Sequence, residues 1–509
     1  VSDKLDFSIC SPTYAEYEAT WREALDFYRS GHHVLQPSRA VGRVGFWVQT
    51  DAPQDDGSTE PEPRRRRSRY ETVPVQSYLW SHVRESRAEY DDRKARAVHV
   101  PLFRNAVDLF VSAALRVEPD RSAGASDLEP WGTYWDDVDM RGTNIGAFVR
   151  QAATYALVYG VMYAVTDRPR FLLPAVSRAE QLARGERAYS YLVSPLDVPR
   201  WSLDSATGAW RWVIVRDTPP DESAPGGPSL VADERFRVWY VDRSELYGKP
   251  TNGGDWTLLD VAEHNVGEVP IAPLFARAST TTRSTLEPDS MLASLVRGDR
   301  HIFNGLSVIH DVIAKQAWSQ LCLPDDGTGM ATLDVGPAVA LLYNSQFGTP
   351  IMLTPDSSII MAQWQILAGE LQMFRESVGA GRGKAEYSKE ERSADALTVE
   401  SRHENNRVAS LVESIEEFDR TLHRHVARWE GASEYPRASY GRDVSLDSVA
   451  DQLSDALSMK SLGLGPEVMR EIIRPIVVRY MRQQSQSPDA IARATESLDL
   501  LEEKAEEQV

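Results

Sequence analysis

Hydrophobic positions in the first third of the chain recur at helical spacing. The stretch Tyr14–Ser30 predicts a helix, followed by a glycine-broken segment. From Tyr78 to Val117, the positions Leu102, Val107, Phe110, Val111, Ala114 and Leu115 fall at three- and four-residue steps, as one helix face does. Trp131–Ala164 repeats the pattern after an acidic loop. Its most apolar part, Ala152–Val165, reads as a buried helix-to-strand segment. It is shorter than the ~20 residues a spanning helix needs, and it carries Tyr155, Tyr159, Gly160 and Tyr163.

Beyond that point the period changes. Tyr189–Val193, Trp210–Val215, Arg235–Val241 and Trp256–Val261 are short β-branched and aromatic runs, separated by turns rich in Pro, Gly and Asp. They predict an antiparallel meander over about 189–262. The chain as a whole therefore reads as α+β.

The second half is mostly helical. No proline lies between Pro288 and Pro324, and Leu292, Leu295, Val296, Ile302, Phe303, Leu306, Ile309 and Ile313 mark one long helix. Strand-like pieces broken by Pro and Gly then form a compact insertion over 324–355. Helix resumes at Thr354-Pro355, with Thr as N-cap and Pro at the first helical position. Ile360, Trp364, Leu367, Leu371, Phe374 and Val378 alternate steps of four and three, a seam for packing against another helix.

Gly379 ends that helix, and three glycines in residues 379–383 leave no regular structure there. Ser388 and Glu391 have capping-box spacing for a helix over Lys389–Trp429, roughly 60 Å long. Its second half has a seam at Val408, Leu411, Ile415, Phe418, Leu422 and Trp429. Its first half is polar all round and borders solvent or another subunit. Gly431 ends it. Three short helices near Val444–Leu462, Pro466–Arg482 and Ser487–Glu506 form a separate module with an acidic tail.

Composition narrows the class. The 509 residues carry 56 Lys+Arg against 75 Asp+Glu, a net charge of −19. Such a balance argues against a protein that coats nucleic acid, because phosphate binding wants positive charge. Cys10 and Cys322 are the two cysteines, too few for a disulfide framework or a Cys zinc cluster, and they fit a reducing compartment. The opening residues VSDKLDFSICSPTY lack a basic region followed by an apolar run, so no secretory signal is expected. Arg64–Arg67, within a polar loop at 51–69, read as a solvated charge run rather than a nucleic-acid patch.

Catalytic motifs fail their tests. Gly383-Lys384 is followed by Ala385, and the first Walker position is Val378, so a phosphate loop is excluded. No HExxH and no G-x-S-x-G are present. His32, His33, His301, His310, His423 and His425 read as surface or packing residues. Asp136, Asp137 and Asp139 read as an acidic turn at a helix N-terminus. No metal site and no cofactor are expected.

What remains distinctive is an order of segments, and it resembles the portal proteins of tailed bacteriophages. Tyr90–Pro119 and Val138–Asp167 resemble the family's early segments. His264–Phe275 resembles the segment before the stem, and Asp289–Ala317 the first stem helix and its approach. The stretch from Glu391, with Ser393-Ala394-Asp395-Ala396-Leu397, resembles the segment after the tunnel loop. The similarity covers most of 75–430, and the order is more specific than any single piece.

The resemblance implies a ring, usually a dodecamer, at one capsid vertex of a virion assembled in the host cytoplasm. Double-stranded DNA passes through its channel, and terminase, capsid protein and a head–tail adaptor are its partners. The implied parts are a wing at 1–285, a first stem helix at 286–318 and a clip at 319–354. A second stem helix at 355–378, a tunnel loop at 379–392, a long wing helix at 393–435 and a crown at 436–509 follow. The loop would place Arg382, Lys384, Lys389 and Arg392 towards DNA. It departs from the family in its glycine content and in nearly balanced charge, with Glu386, Glu390 and Glu391 beside the four cations. A channel also reverses the argument from net charge, since DNA must slide and a basic wall would hold it. Two other classes stay open on the residues alone: an acidic cytosolic enzyme with an unrecognised site, and a protein-only scaffold.

Overall fold

The computed structural model describes residues 7, 9–35, 77–82, 85–123, 131–169, 177, 180, 184–217, 234–249, 255–277, 287–316, 320–325, 340–344, 351–353, 357–378, 394–441 and 474. For 315, 316, 320–325, 340–344, 351–353, 357, 359 and 394–405 only backbone is described. Expectations for the 51–69 loop, the Thr354-Pro355 cap, Gly379, the Ser388–Glu391 box and the helices of 444–506 lie outside the described residues.

The described helices are α1 (Pro12–Arg29), α2 (His32–Leu35), α3 (Arg87–Arg96), α4 (Leu102–Ala114), α5 (Trp131–Asp136), α6 (Ile145–Tyr159), α7 (Ala293–Gln316), α8 (Ser357–Val378) and α9 (Ala394–Glu430). The strands are β1 (Asp120–Ala123), β2 (Val161–Asp167), β3 (Tyr189–Val193), β4 (Arg200–Leu203), β5 (Trp210–Arg216), β6 (Glu234–Tyr240), β7 (Arg243–Lys249), β8 (Thr257–Glu263) and β9 (Ile271–Phe275). They continue with β10 (Gln320–Asp325), β11 (Ala340–Asn344), β12 (Ile351–Leu353) and β13 (Arg437–Ser439). This is the expected α+β composition. The chain divides into two compact units, one of 1–107 with 292–389, the other of 108–291 with 390–509.

In the first unit, Ser11 caps α1 by accepting the Tyr14 N–H at 3.1 Å, and Pro12 fills the first turn. Tyr14, Trp21, Ala24 and Phe27 form its buried face. Ser86 and Glu89 make a reciprocal capping box for α3. The expected run from Tyr78 to Val117 is thus two helices, split before Pro101, whose ring disfavours helix at the preceding residue. α7 and α8 form an antiparallel pair. Gly298 lies opposite Phe374 and Gly305 opposite Leu367, so two large side chains enter gaps that have no Cβ. Between these helices β10 pairs parallel with β11 and antiparallel with β12. The insertion expected over 324–355 is therefore a small mixed sheet.

In the second unit, α6 turns into β2 through Gly160, which has φ +91. A Cβ there would sit 2.9 Å from the Pro288 backbone, so both conformation and space select glycine. This is the helix-to-strand change expected within Ala152–Val165. The meander splits between two sheets. β4 to β8 follow one another in a five-stranded antiparallel sheet, whereas β3 joins β2 and β9 in a separate one. Val161, Val165, Val213, Trp239 and Ile271 pack the core of this unit. The α9 seam is buried at Val408, Leu411, Ile415, Phe418 and Leu422, and Gly431 with φ +71 follows its end. Trp429 is half-buried and donates its indole N–H to the Thr166 carbonyl at 3.1 Å. β13 pairs with β1, joining segments about three hundred residues apart. No described helix is long and apolar enough to cross a membrane.

Candidate functional site

The α7–α8 pair is positioned by a strap of chain at residues 77–82. Asn304, on α7, accepts the Trp80 N–H at 2.7 Å and donates to the Tyr78 carbonyl at 3.1 Å. One side-chain amide thus satisfies two backbone groups, as a neighbouring strand would. Arg93, on α3, has a fully buried guanidinium. It makes a two-toothed pair with Glu85 at 2.7 Å, donates to Ser307 at 2.9 Å, and also donates to the Trp80 carbonyl. The Arg93 bond and charge hold the Glu85 carboxyl down at about 2. Removing one partner of such a buried pair strands a charge, which costs about 3–5 kcal/mol.

Strap and helices together enclose a groove of about 400 Å³. Trp80 and His301 meet edge to face at its rim, with ring centroids 5.3 Å apart. Val308, Ile309 and Leu367 line it with apolar surface, and Gln363 and Glu370 bring polar groups. Gln363 Oε1 is buried and has no hydrogen-bond partner among the described residues. An unsatisfied buried acceptor of this kind invites a donor from outside.

The outer surface of α8 is unusual. Leu367, Phe374 and Val378 are buried against its surroundings in the unit, as the seam predicts. Trp364, expected in that seam, is instead 53% exposed, with Met361 at 56%, Ile366 at 67% and Met373 at 63%. At about 100° per residue, the exposed positions form two further stripes. Ala362, Ile366, Gly369 and Met373 lie on one flank, and Met361, Trp364 and Ala368 on the other. The helix is apolar on three sides, while one side is packed.

Other polar clusters lie inside the units. Ser30 Oγ is 2.8 Å from His99 Nδ1, and His99 Nε2 is 3.2 Å from Asp299 Oδ1. This Ser–His–Asp order has no sequence signature, and the sequence reading missed it. The His99 ring is held edge-on by Phe27 and Phe303, and Asp299 also takes the Phe103 N–H at 2.8 Å. With its ring 1% exposed and neither Ser30 nor His99 lining the groove, the arrangement ties α1, α4 and α7 together.

In the second unit, Asp419 is fully buried. It receives Arg121 at 2.9 Å and Tyr440 Oη at 2.6 Å, and His423 Nδ1 lies 2.7 Å away. The Trp135 indole donates to His423 Nε2 at 2.8 Å, which leaves the ring proton on Nδ1, towards Asp419. Burial pushes the Asp419 carboxyl up, but the His423, Arg121 and Tyr440 contacts outweigh it and hold it at about 2. Glu268 is held at about 2 in the same way, with burial outweighed by His425, Arg424 and Arg428. His423 and His425 are therefore packing residues, as expected.

The Asp136, Asp137 and Asp139 cluster needs correction. Asp136 ends α5, while Asp137 and Asp139 accept N–H groups of Gly142, Arg141 and Thr143 in the loop before α6. The loop and Arg187, which donates to Asp137 at 2.7 Å, take their charge rather than a helix N-terminus. Among the described residues no group of three His, Cys, Asp or Glu side chains could hold a metal ion. The expected DNA-facing residues Arg382, Lys384, Lys389 and Arg392 lie outside the described residues.

No protein-family description matches the chain, and no curated protein matches it by sequence. Among solved structures, a chain from the neck of an empty gene transfer agent particle, computed with C6 symmetry, is similar at 12% identity and a TM-score of 0.34. That alignment covers 71% of this chain and 85% of the other. A chain from the virion of the native particle gives 11% identity, a TM-score of 0.33 and the same coverage. A chain from the native neck computed with C12 symmetry gives 12% and 0.32, over 72% and 86% of the two chains. TM-scores at this level do not establish a shared fold.

Proposed function

We propose that this chain is the subunit of a phage portal ring: a non-enzymatic conduit in a virion through which double-stranded DNA enters and leaves. The observation that carries this reading is α8, apolar on three sides and packed on one. A helix with two unpartnered apolar flanks suits a place between two neighbours. Different flanks facing each way give heterologous contacts, the kind that close a cyclic ring. The ordered sequence resemblance over most of 75–430 supports the same assignment, and so does the pairing of a helical hairpin with a small sheet at its turn.

In this reading α7 and α8 are the stem, β10–β12 the clip that meets terminase and the head–tail adaptor, and the outer surface meets capsid protein. The loop at 379–392 brings Arg382, Lys384, Lys389 and Arg392 towards the DNA. Purified protein should form closed rings, counted by native mass measurement and seen end-on in negative stain. A stable monomer across salt and concentration overturns the reading. Rings whose central opening is too narrow for a duplex favour the protein-only scaffold instead. The Arg382→Ala, Lys384→Ala double variant should assemble normally and package or retain DNA less well. Unaltered packaging removes the loop's role and leaves the ring standing.

A further inference from the structure

The two exposed flanks of α8 are not alike. Ile366 borders the groove, together with Gln363 and Glu370. Trp364 lies about 160° round the helix from Ile366, with Met361 and Ala368 on its flank. One flank is therefore a hollow and the opposite flank a knob. We infer that the indole of Trp364 in one copy fills the Trp80–His301-rimmed groove of the next copy, so that each subunit offers a knob to one neighbour and a hole to the other.

This rests on the ring reading and specifies its contact. Three features of the groove match an indole. Its volume of about 400 Å³ accommodates one aromatic side chain and its surroundings. Its rim is aromatic, and edge-to-face contacts suit another ring. Its buried Gln363 Oε1 lacks a donor, which an indole N–H supplies. Glu370 also lines the groove, 3.6 Å from His301 Nδ1 at the rim. Two copies in a large ring flank a subunit on nearly opposite sides, as knob and hole do here. Because the knob and the hole differ, the contact is not self-complementary and does not stop at a dimer.

The test uses the full chain with Cys10 and Cys322 replaced by serine. Ala368→Cys on the knob flank and Ser81→Cys, an exposed lining residue of the groove, leave Trp364, Trp80 and His301 in place. With both present, a short bismaleimide should give a ladder of covalent multimers on a denaturing gel, and either cysteine alone should give none. Mixing the two single variants should give a covalent dimer. Trp364→Ala should raise the concentration needed for half-assembly at least tenfold without lowering the monomer's melting temperature, and Trp364→Phe should recover most of it. Rings that form without a ladder, or assemble equally well with Trp364→Ala, overturn the knob-in-hole contact while the ring reading survives. Cross-linking confined within single chains also overturns it, and points to the chain's own residues in the groove. Protein that stays monomeric under all conditions overturns the ring reading itself.

Discussion

Asp419 and Asp26 are buried carboxylates with opposite electrostatic consequences. Asp419 takes Arg121 and Tyr440 on Oδ2 and has His423 beside Oδ1, so its folded pKa of about 2 lies below the ordinary carboxylate value. Its stabilisation is complete above about pH 4 and is lost as pH falls through 2. Asp419→Asn should cost about 3–5 kcal/mol at pH 7, because Arg121 is left buried without its counter-charge. Chemical denaturation should also show a shallower loss of stability between pH 4 and 2 in the variant.

Among the described residues the Asp26 carboxylate takes the Tyr78 hydroxyl, at 3.0 Å, and burial raises it to about 6. A raised folded value gives stability that is present below pH 3.8 and lost as pH rises through 6. Asp26→Asn should therefore stabilise the protein at pH 8, by about 1–2 kcal/mol once solvent screening is allowed for. The gain should shrink towards pH 4. A melting series across that range checks both size and sign.

At the scale of elements, the α7–α8 pair depends on two glycines seven residues apart. A Cβ at Gly305 would meet Leu367 Cδ1 at 3.1 Å, and one at Gly298 would meet Phe374 at 3.3 Å. Gly305→Val should push the helices apart and cost about 1–3 kcal/mol. It should lower the melting temperature and, by moving Leu367, distort the groove. This level also divides what was legible in the sequence from what was not. Periodicity located α1, α7, α8 and the α9 seam, because burial of one helix face leaves a three- and four-residue signature. It does not choose among three apolar flanks of α8, so the seam it predicts includes Trp364, which faces outward. Nor could it find Asn304 or Arg93. Their carbonyl partners at Tyr78 and Trp80 are reached only through the fold, and a polar residue on a helix carries no mark of the backbone it will hold. β3 was legible as a strand, but not its place beside β2, whose other edge is taken by β9 some eighty residues later in the chain.

For the whole molecule, the net charge of −19 sets how the proposed ring would meet DNA. A ring of such subunits would multiply that charge by the number of copies, and long-range repulsion would then oppose any lasting grip on phosphate. Free duplex should therefore separate from purified rings in a gel-shift at physiological salt. The same experiment at low salt should recover little binding. A tight, steeply salt-dependent complex would mean that basic surface dominates the contact after all.

The pairing of β1 with β13 has a temporal side. Asp120 and Arg121 leave the ribosome early, while Ser439 and Tyr440 leave it about three hundred residues later. Asp419 completes its set of partners only when both ends have met. The second unit is thus a clasp that synthesis fastens late, whereas all of 1–107 and 292–389 has already emerged. A chain that stops before Tyr440 lacks the hydroxyl that meets Asp419, so the buried carboxylate's surroundings are complete only after almost all of the described second unit has been made.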